Sequence, residues 1–262
     1  MIRTLLIIAG AAFVLALASL AGGVAVGGRD MARHGWEWTF PSHGEGGDLH
    51  IVREDGTEPA EVTRTLAWAG GDKLVVDLDA ADVEYVQGDT PGITVRGRAD
   101  RIDNVRIDGD RLSWAGDESN KDERLVFGRH ANRAGFWVDS GDIHVVVTSP
   151  AVKTFEINGS ADVAIKGYDQ PSLTIASTGS GDVSASGATK ALALTMTGSG
   201  DADLSDLLTE DAEVDTSGSG DATIAPTGAA VINLSGSGDL DLATRPSTLR
   251  QSISGSGDVR QD

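Results

Sequence analysis

The stretch Thr178-Gly-Ser-Gly-Asp-Val183 returns in close copies that begin at Thr197, Ser217, Ser235 and Ser254. Its Asp falls at Asp142, Asp162, Asp182, Asp201, Asp221, Asp239 and Asp258, at intervals of 20, 20, 19, 20, 18 and 19 residues. The first two members are degenerate: "DSGDI", and "NGSADV", in which Ala161 replaces a Gly. A fixed period near twenty residues constrains the fold sharply. Each repeat is too short to bury a hydrophobic face alone and must stack on its neighbours.

Counting from each Asp as position zero, apolar residues occupy odd offsets. Phe155, Ile175, Leu194, Val214 and Ile232 stand at −7, with Gln251 as the exception. Val163, Val183, Ala202, Ala222, Leu240 and Val259 stand at +1. Even offsets are mostly polar, as at Thr174, Thr195, Glu213, Asp215 and Asn233. Period-two alternation means strands, and it runs through the motif itself. The expected fold is all-β: a parallel β-helix with coils of about twenty residues.

Parity places Gly179, Gly181, Gly198, Gly200, Gly218, Gly220, Gly236, Gly238, Gly255 and Gly257 on the inward side of a sharp corner, where a side chain would not fit. Ser180 and the Asp residues then face outward and can bond backbone N–H groups left over by the bend. Stacking at ~4.8 Å makes an outward ladder of Asp162, Asp182, Asp201, Asp221, Asp239 and Asp258. Neighbouring carboxylates repel by about 1 kcal/mol in water and about 3–4 at an effective dielectric of 20. Backbone donors, Ser hydroxyls, partial protonation or calcium could offset this, and calcium suits an all-oxygen site. The calcium nonapeptide G-G-x-G-x-D does not match, because here Asp follows Gly directly. A phosphate cradle needs a helix after its Gly-rich turn, and none follows these motifs. The expectation is therefore a structural corner with no cofactor, calcium being the one ion left open.

Other features bound the function. Formal net charge is −19, which argues against nucleic acid and against adhesion to anionic lipid. There is no Cys, hence no disulfide framework or thiolate metal site. Residues 1–28 read as a secretory signal peptide with "ALA" (Ala16 to Ala18) as a cleavage site. The uncharged run from Thr4 to Gly28 is also long enough for an uncleaved transmembrane anchor. Either way the remainder is exported to the periplasm or cell surface. Residues 29–64 read as a linker or lead-in, and 65–262 as the β-helix domain. Within that domain, 65–115 are irregular strands, 116–135 a polar loop, and 140–260 the regular coils.

The segment "LVVDLDAADVEYVQGD…ITVRG", followed by "VTSPAVKTFEINGSADVAI" and repeated "SGSGD" behind an export signal, resembles the bacterial auto-transporter adhesin head GIN domain family. The resemblance runs from about Leu66 to Asp258. It implies a right-handed parallel β-helix and supplies no catalytic residues. Only "VRQD" follows Asp258, so a self-contained autotransporter with its own membrane barrel is not expected.

Three functions follow as expectations. The first is a non-enzymatic, exported, adhesin-like or scaffold protein of the cell envelope. The second is a membrane-anchored envelope sensor or assembly factor whose acidic face grips a basic partner. The third is a carbohydrate-active β-helix enzyme, for which the repeats offer only Phe155 and Tyr168 as aromatics. The five His (His34, His43, His50, His130, His144) are dispersed, and His144 reads as an exposed strand residue rather than a general base. The five Trp (Trp36, Trp38, Trp68, Trp114, Trp137) read as capping or filling a core in preference to forming a binding patch. The last coil, Leu249 to Val259, lacks an evident cap, so end-to-end self-association is expected.

Overall fold

The structure is a computed structural model. It describes residues 61–115 and 143–261, together with the backbone of the strands Trp36–Thr39, His50–Val52, Arg124–His130 and Arg133–Asp139. The segment read as an export signal or anchor, 1–28, lies outside the described residues. Among those described, no helix is long and apolar enough to cross a membrane.

The repeats build a parallel β-solenoid. On one face, the strand Thr154–Gly159 pairs in parallel with 174–179, and the stack continues through 191–198, 212–218, Ala229–Gly236 and Thr248–Gly255. On the next face, 162–166, 183–184, 202–204, 222–224, Leu240–Leu242 and Val259–Gln261 stack in the same sense. Each coil crosses from one face to the other through its Gly-Ser-Gly-Asp corner. The alternation dictates the core. Phe155, Ile175, Leu194, Val214 and Ile232 are fully buried or nearly so, as are Val163, Val183, Ala202, Ala222 and Leu240. Apolar rows of this kind are what makes stacking favourable, at roughly 25 cal/mol per Å² removed from water.

At the other end, stacking order departs from sequence order. Lys73–Leu78 pairs in parallel with Thr154–Gly159, and Arg111–Trp114 lies beyond it. Ala81–Gln87 is sandwiched between 162–166 and Ile143–Ser149. Gly92–Arg98 and Glu61–Leu66 then close that face with antiparallel pairings. One helical turn, Ala99–Ile102, precedes the antiparallel pair Val105–Asp108 and Arg111–Trp114. The aromatic residues gather here. Tyr85 and Phe155 meet edge to face at 5.0 Å and 76°. Tyr85 donates to Ser149 O at 2.6 Å and Tyr168 donates to Ser172 O. Trp114 is buried, and Trp68 packs against the core while its Nε1 donates to Gly109 O. These two Trp fill a core. Trp36, Trp38 and Trp137 have side chains outside the described residues.

Two stretches read as non-regular contain strands. Within 29–64 lie Trp36–Thr39 and His50–Val52, and 116–135 overlaps Arg124–His130 and the start of Arg133–Asp139. These four form an antiparallel sheet in which the hairpin 124–139 pairs through Trp36–Thr39 to His50–Val52. The charged residues around "RLVFGRH" mask its alternation, and one of its two partners, Trp36–Thr39, comes from far along the chain.

Burial pushes the Tyr85 phenol up to about 12, against a smaller opposing effect from the Val152 backbone, and it pushes Tyr168 up as well. The neutral phenols are the folded forms. Their contribution is complete below the ordinary tyrosine pKa, about 10, and is lost as pH rises toward the folded value. Stability is expected to fall between about pH 10 and 12. The chain has only two Tyr. Tyrosinate absorbance should therefore appear together with loss of β circular dichroism, and titration well before unfolding would contradict this.

Candidate functional site

The corners arise from a steric condition along the stack. At Gly198 φ is +137°, and an added Cβ would sit 2.1 Å from Gly179 O of the coil below. At Gly200 a Cβ would sit 2.1 Å from Gly181 O. Real Cβ–O contacts do not approach so closely, so neither position admits a side chain. The inward placement holds for the second Gly of the corner, with Gly181, Gly200, Gly238 and Gly257 buried, but needs correction for the first. Gly198, Gly218 and Gly255 are exposed, and what excludes a side chain at both positions is the carbonyl beneath. The first corner differs. Leu78 to Asp82 contains one more residue than Gly159 to Asp162, and Ala80 there takes φ +50°. Ala161 is tolerated over that longer turn.

The ladder exists, and its chemistry is visible. Asp182 N–H donates to Asp162 Oδ1 at 2.8 Å, and Asp201 N–H to Asp182 Oδ1 at 2.9 Å. Asp221, Asp239 and Asp258 repeat the contact to Asp201, Asp221 and Asp239 at 2.8, 2.7 and 2.9 Å. Each carboxylate thus accepts the amide of the Asp one coil above. That N–H is freed by the bend, and a charge-assisted bond to it offsets the repulsion between neighbours. The adjacent backbone is satisfied too: Val163, Val183, Ala202, Ala222 and Leu240 donate to the Asp carbonyl of the next coil.

The row extends further than the sequence repeat. Asp162 pairs in register with Asp82, and Asp82 with His144, whose Nδ1 lies 3.0 Å from Asp82 Oδ2. His144 in turn faces Arg96, which holds Glu61 at 2.7 Å. At the opposite end Arg260 Nη2 lies 2.7 Å from Asp239 Oδ2 and 3.8 Å from Asp258 Oδ2. The acidic row is therefore bounded by basic groups at both ends. The Asp258 amide first, and Arg260 in addition, hold the Asp239 carboxyl below the usual carboxylate range. The counted motif at Asp142 lies outside the described residues, and the strand that follows it brings His144 to the row. Asp82 escaped the count because its corner, "LDAADV", lacks Gly-Ser-Gly and is separated by a long excursion from the coil it supports.

The outer face that carries the row forms a shallow groove of about 460 Å³. Asp82, Glu84, His144, Asp162, Asp182 and Asp203 are among the groups lining it. Beside it Lys166 Nζ pairs with Glu84 at 2.8 Å, and Ser205 draws the Asp203 carboxyl to lower pKa through its side chain and its amide. Among the described residues no three or more His, Asp or Glu gather in a metal-binding arrangement. Asp201→Ala removes the acceptor for the Asp221 amide and is expected to cost about 1 kcal/mol, whereas Asp201→Asn keeps an acceptor and stays within about 0.5. Melting curves of the two variants check this. Calcium or chelator is expected to leave the curves unchanged, and a shift would assign an ion to the ladder.

Parallel coils, a Gly-Ser-Gly-Asp corner in each regular repeat, and a continuous outward carboxylate row define a parallel β-solenoid with an acidic edge. The family model for "Putative auto-transporter adhesin, head GIN domain" matches residues 72–246, and the chain belongs to that family. A solved structure of a putative adhesin from Bacteroides fragilis is similar at 19% identity with a TM-score of 0.57, covering 79% of this chain and 100% of that one. A putative lipid binding protein from Parabacteroides distasonis gives 19% and 0.42, with 77% and 96% covered. A putative adhesin from Parabacteroides merdae gives 14% and 0.40, with 77% and 96% covered. A comparison with curated proteins finds no match.

Proposed function

We propose that this is a non-enzymatic, exported, adhesin-like protein of the cell envelope that meets a basic partner with its carboxylate ladder. One observation carries the reading. Asp162, Asp182, Asp201 and Asp221 each commit Oδ1 to a backbone amide, which fixes their positions while the residues stay exposed. A row of rigid carboxylates at coil spacing is prepaid in conformational entropy, and it suits evenly spaced Lys or Arg on another surface. The family and the adhesin names of its relatives support the surface role. Between Ala191 and Thr244 there is no Lys or Arg, so nothing on that stretch competes for the carboxylates.

The test uses the whole exported chain, with binding to isolated envelopes followed against salt. Binding should weaken steeply between low and physiological ionic strength. The triple variant Asp162→Asn, Asp182→Asn, Asp201→Asn should fold and bind at least tenfold more weakly. Equal binding by the folded triple variant would dismiss the ladder as the contact surface.

A further inference from the structure

We propose that the open end of the solenoid is a second docking site, where an extended acidic peptide adds as a strand over Thr248–Gly255. All eight residues of that strand are exposed, and among the described residues no strand lies over it. Its hydrogen-bonding edge is aimed outward. Thr248 N–H and Ser256 N–H donate to Gly228 O and Gly236 O of the coil below. Residues of the same parity, Arg250, Ser252 and Ser254, are thereby turned toward the stack. Leu249, Gln251 and Ile253 turn their N–H and C=O groups away from it. Leu249 and Ile253, on the core row, remain 37% and 42% exposed, so a further strand would bury them. Main-chain pairing plus pockets for alternate side chains is how an edge takes up a peptide.

Charge selects which peptide. Arg245 and Arg250 flank this edge, and neither has an acidic partner among the described residues. The supporting strand Ala229–Gly236 carries no ionisable group, and the acids beneath it, Asp211, Glu213 and Asp215, belong to the coil below, where Asp211 is engaged by the Ala229 amide. Asp258 and Asp239 belong to the other face and are occupied by Arg260. In an acidic chain the edge is thus a local basic site, and acidic residues at alternate positions would meet Arg250 across the pair. A second copy paired here would bring two Arg250 side chains to one edge, which disfavours self-pairing. The corner sets the limit of the docked segment. A Cβ at Gly255 would lie 2.0 Å from Gly236 O, so ordinary residues fit over the flat strand but not over the bend.

Fluorescence polarisation of the full chain with a labelled eight-residue peptide alternating Val and Glu tests the idea, with a Val/Lys peptide as comparison. The Glu peptide should bind saturably and weaken with salt, and the Lys peptide should bind at least tenfold more weakly. Arg250→Glu should reduce Glu-peptide binding tenfold or more. Gln251→Pro should do the same, because it deletes an outward N–H without taking a hydrogen bond from the stack. Lys190→Glu, the same loss of an exposed positive charge several coils below, should leave it unchanged, which ties the effect to this edge. Should Gln251→Pro fail to fold, Arg250→Glu decides alone. Equal binding of both peptides, or binding indifferent to Arg250→Glu, overturns the proposal. So does a dimer in light scattering that disappears in Gln251→Pro, or displacement of the peptide by anionic vesicles.

Discussion

Gly198→Ala is expected to unfold the middle of the solenoid, lowering stability by about 4 kcal/mol or more. Two effects combine. An L-residue held at φ +137° is strained by about 1–3 kcal/mol. The new methyl, 2.1 Å from Gly179 O, must also push two coils apart, at roughly 1–3 kcal/mol of overpacking. The contact is backbone against backbone, so no side chain can rotate away. Gly198 is itself the floor for Gly218, whose own Cβ would lie 2.0 Å from Gly198 O. A shift is therefore passed up the stack, as expected where stability is a sum of nearest-neighbour interfaces. Thermal melting should fall by about 10 °C or more at 2–4 °C per kcal/mol for a domain of this size. Ser199→Ala, one residue along and exposed, should stay within about 0.5 kcal/mol. A Gly198→Ala protein melting within a few degrees of the parent would show that the corner relaxes freely.

What the sequence conveyed depended on whether a demand was local. Every regular coil makes the same demand on the same offsets, so period, parity and the outward ladder were all legible. The corner glycines were legible as required, but their reason was not. The atom they avoid belongs to a residue about twenty positions away and lies along the stacking axis. The source of the carboxylates' relief was open for the same reason, because the Asp182 amide reaches Asp162 only once the coils are stacked. At the irregular end, order in the sheet and order in the chain part company. Ile143–Ser149 pairs with Ala81–Gln87, and only 81–87 touches 162–166. An evenly spaced count through Asp142 could not anticipate that. Asp82 and His144 therefore joined the candidate site only through register, although the "ADV" at Ala81–Val83 repeats the "GDV" pattern in weaker form.

The second large effect is expected at that junction. Phe155→Ala should cost about 3–5 kcal/mol, the usual range for emptying a buried aromatic site. Phe155 is fully buried and lies in register between Leu74 on one side and Ile175 on the other, where the irregular strands meet the regular coils. The surroundings cannot collapse into the space. Tyr85, its edge-to-face partner, is tethered by its hydroxyl to Ser149 O, and Leu74 and Ile175 are held in register with Phe155 by the parallel ladders of their strands. Phe155→Leu, which keeps most of the volume, should lose much less. The two variants also separate packing from a broader role. Emptying the junction weakens the interface between 61–115 and the coils beyond Pro171 more than it weakens either part. Denaturant unfolding of Phe155→Ala should therefore broaden or split while Phe155→Leu stays single and cooperative. A sharp single transition merely shifted to lower denaturant would instead make the solenoid one cooperative unit from its irregular end to its open edge.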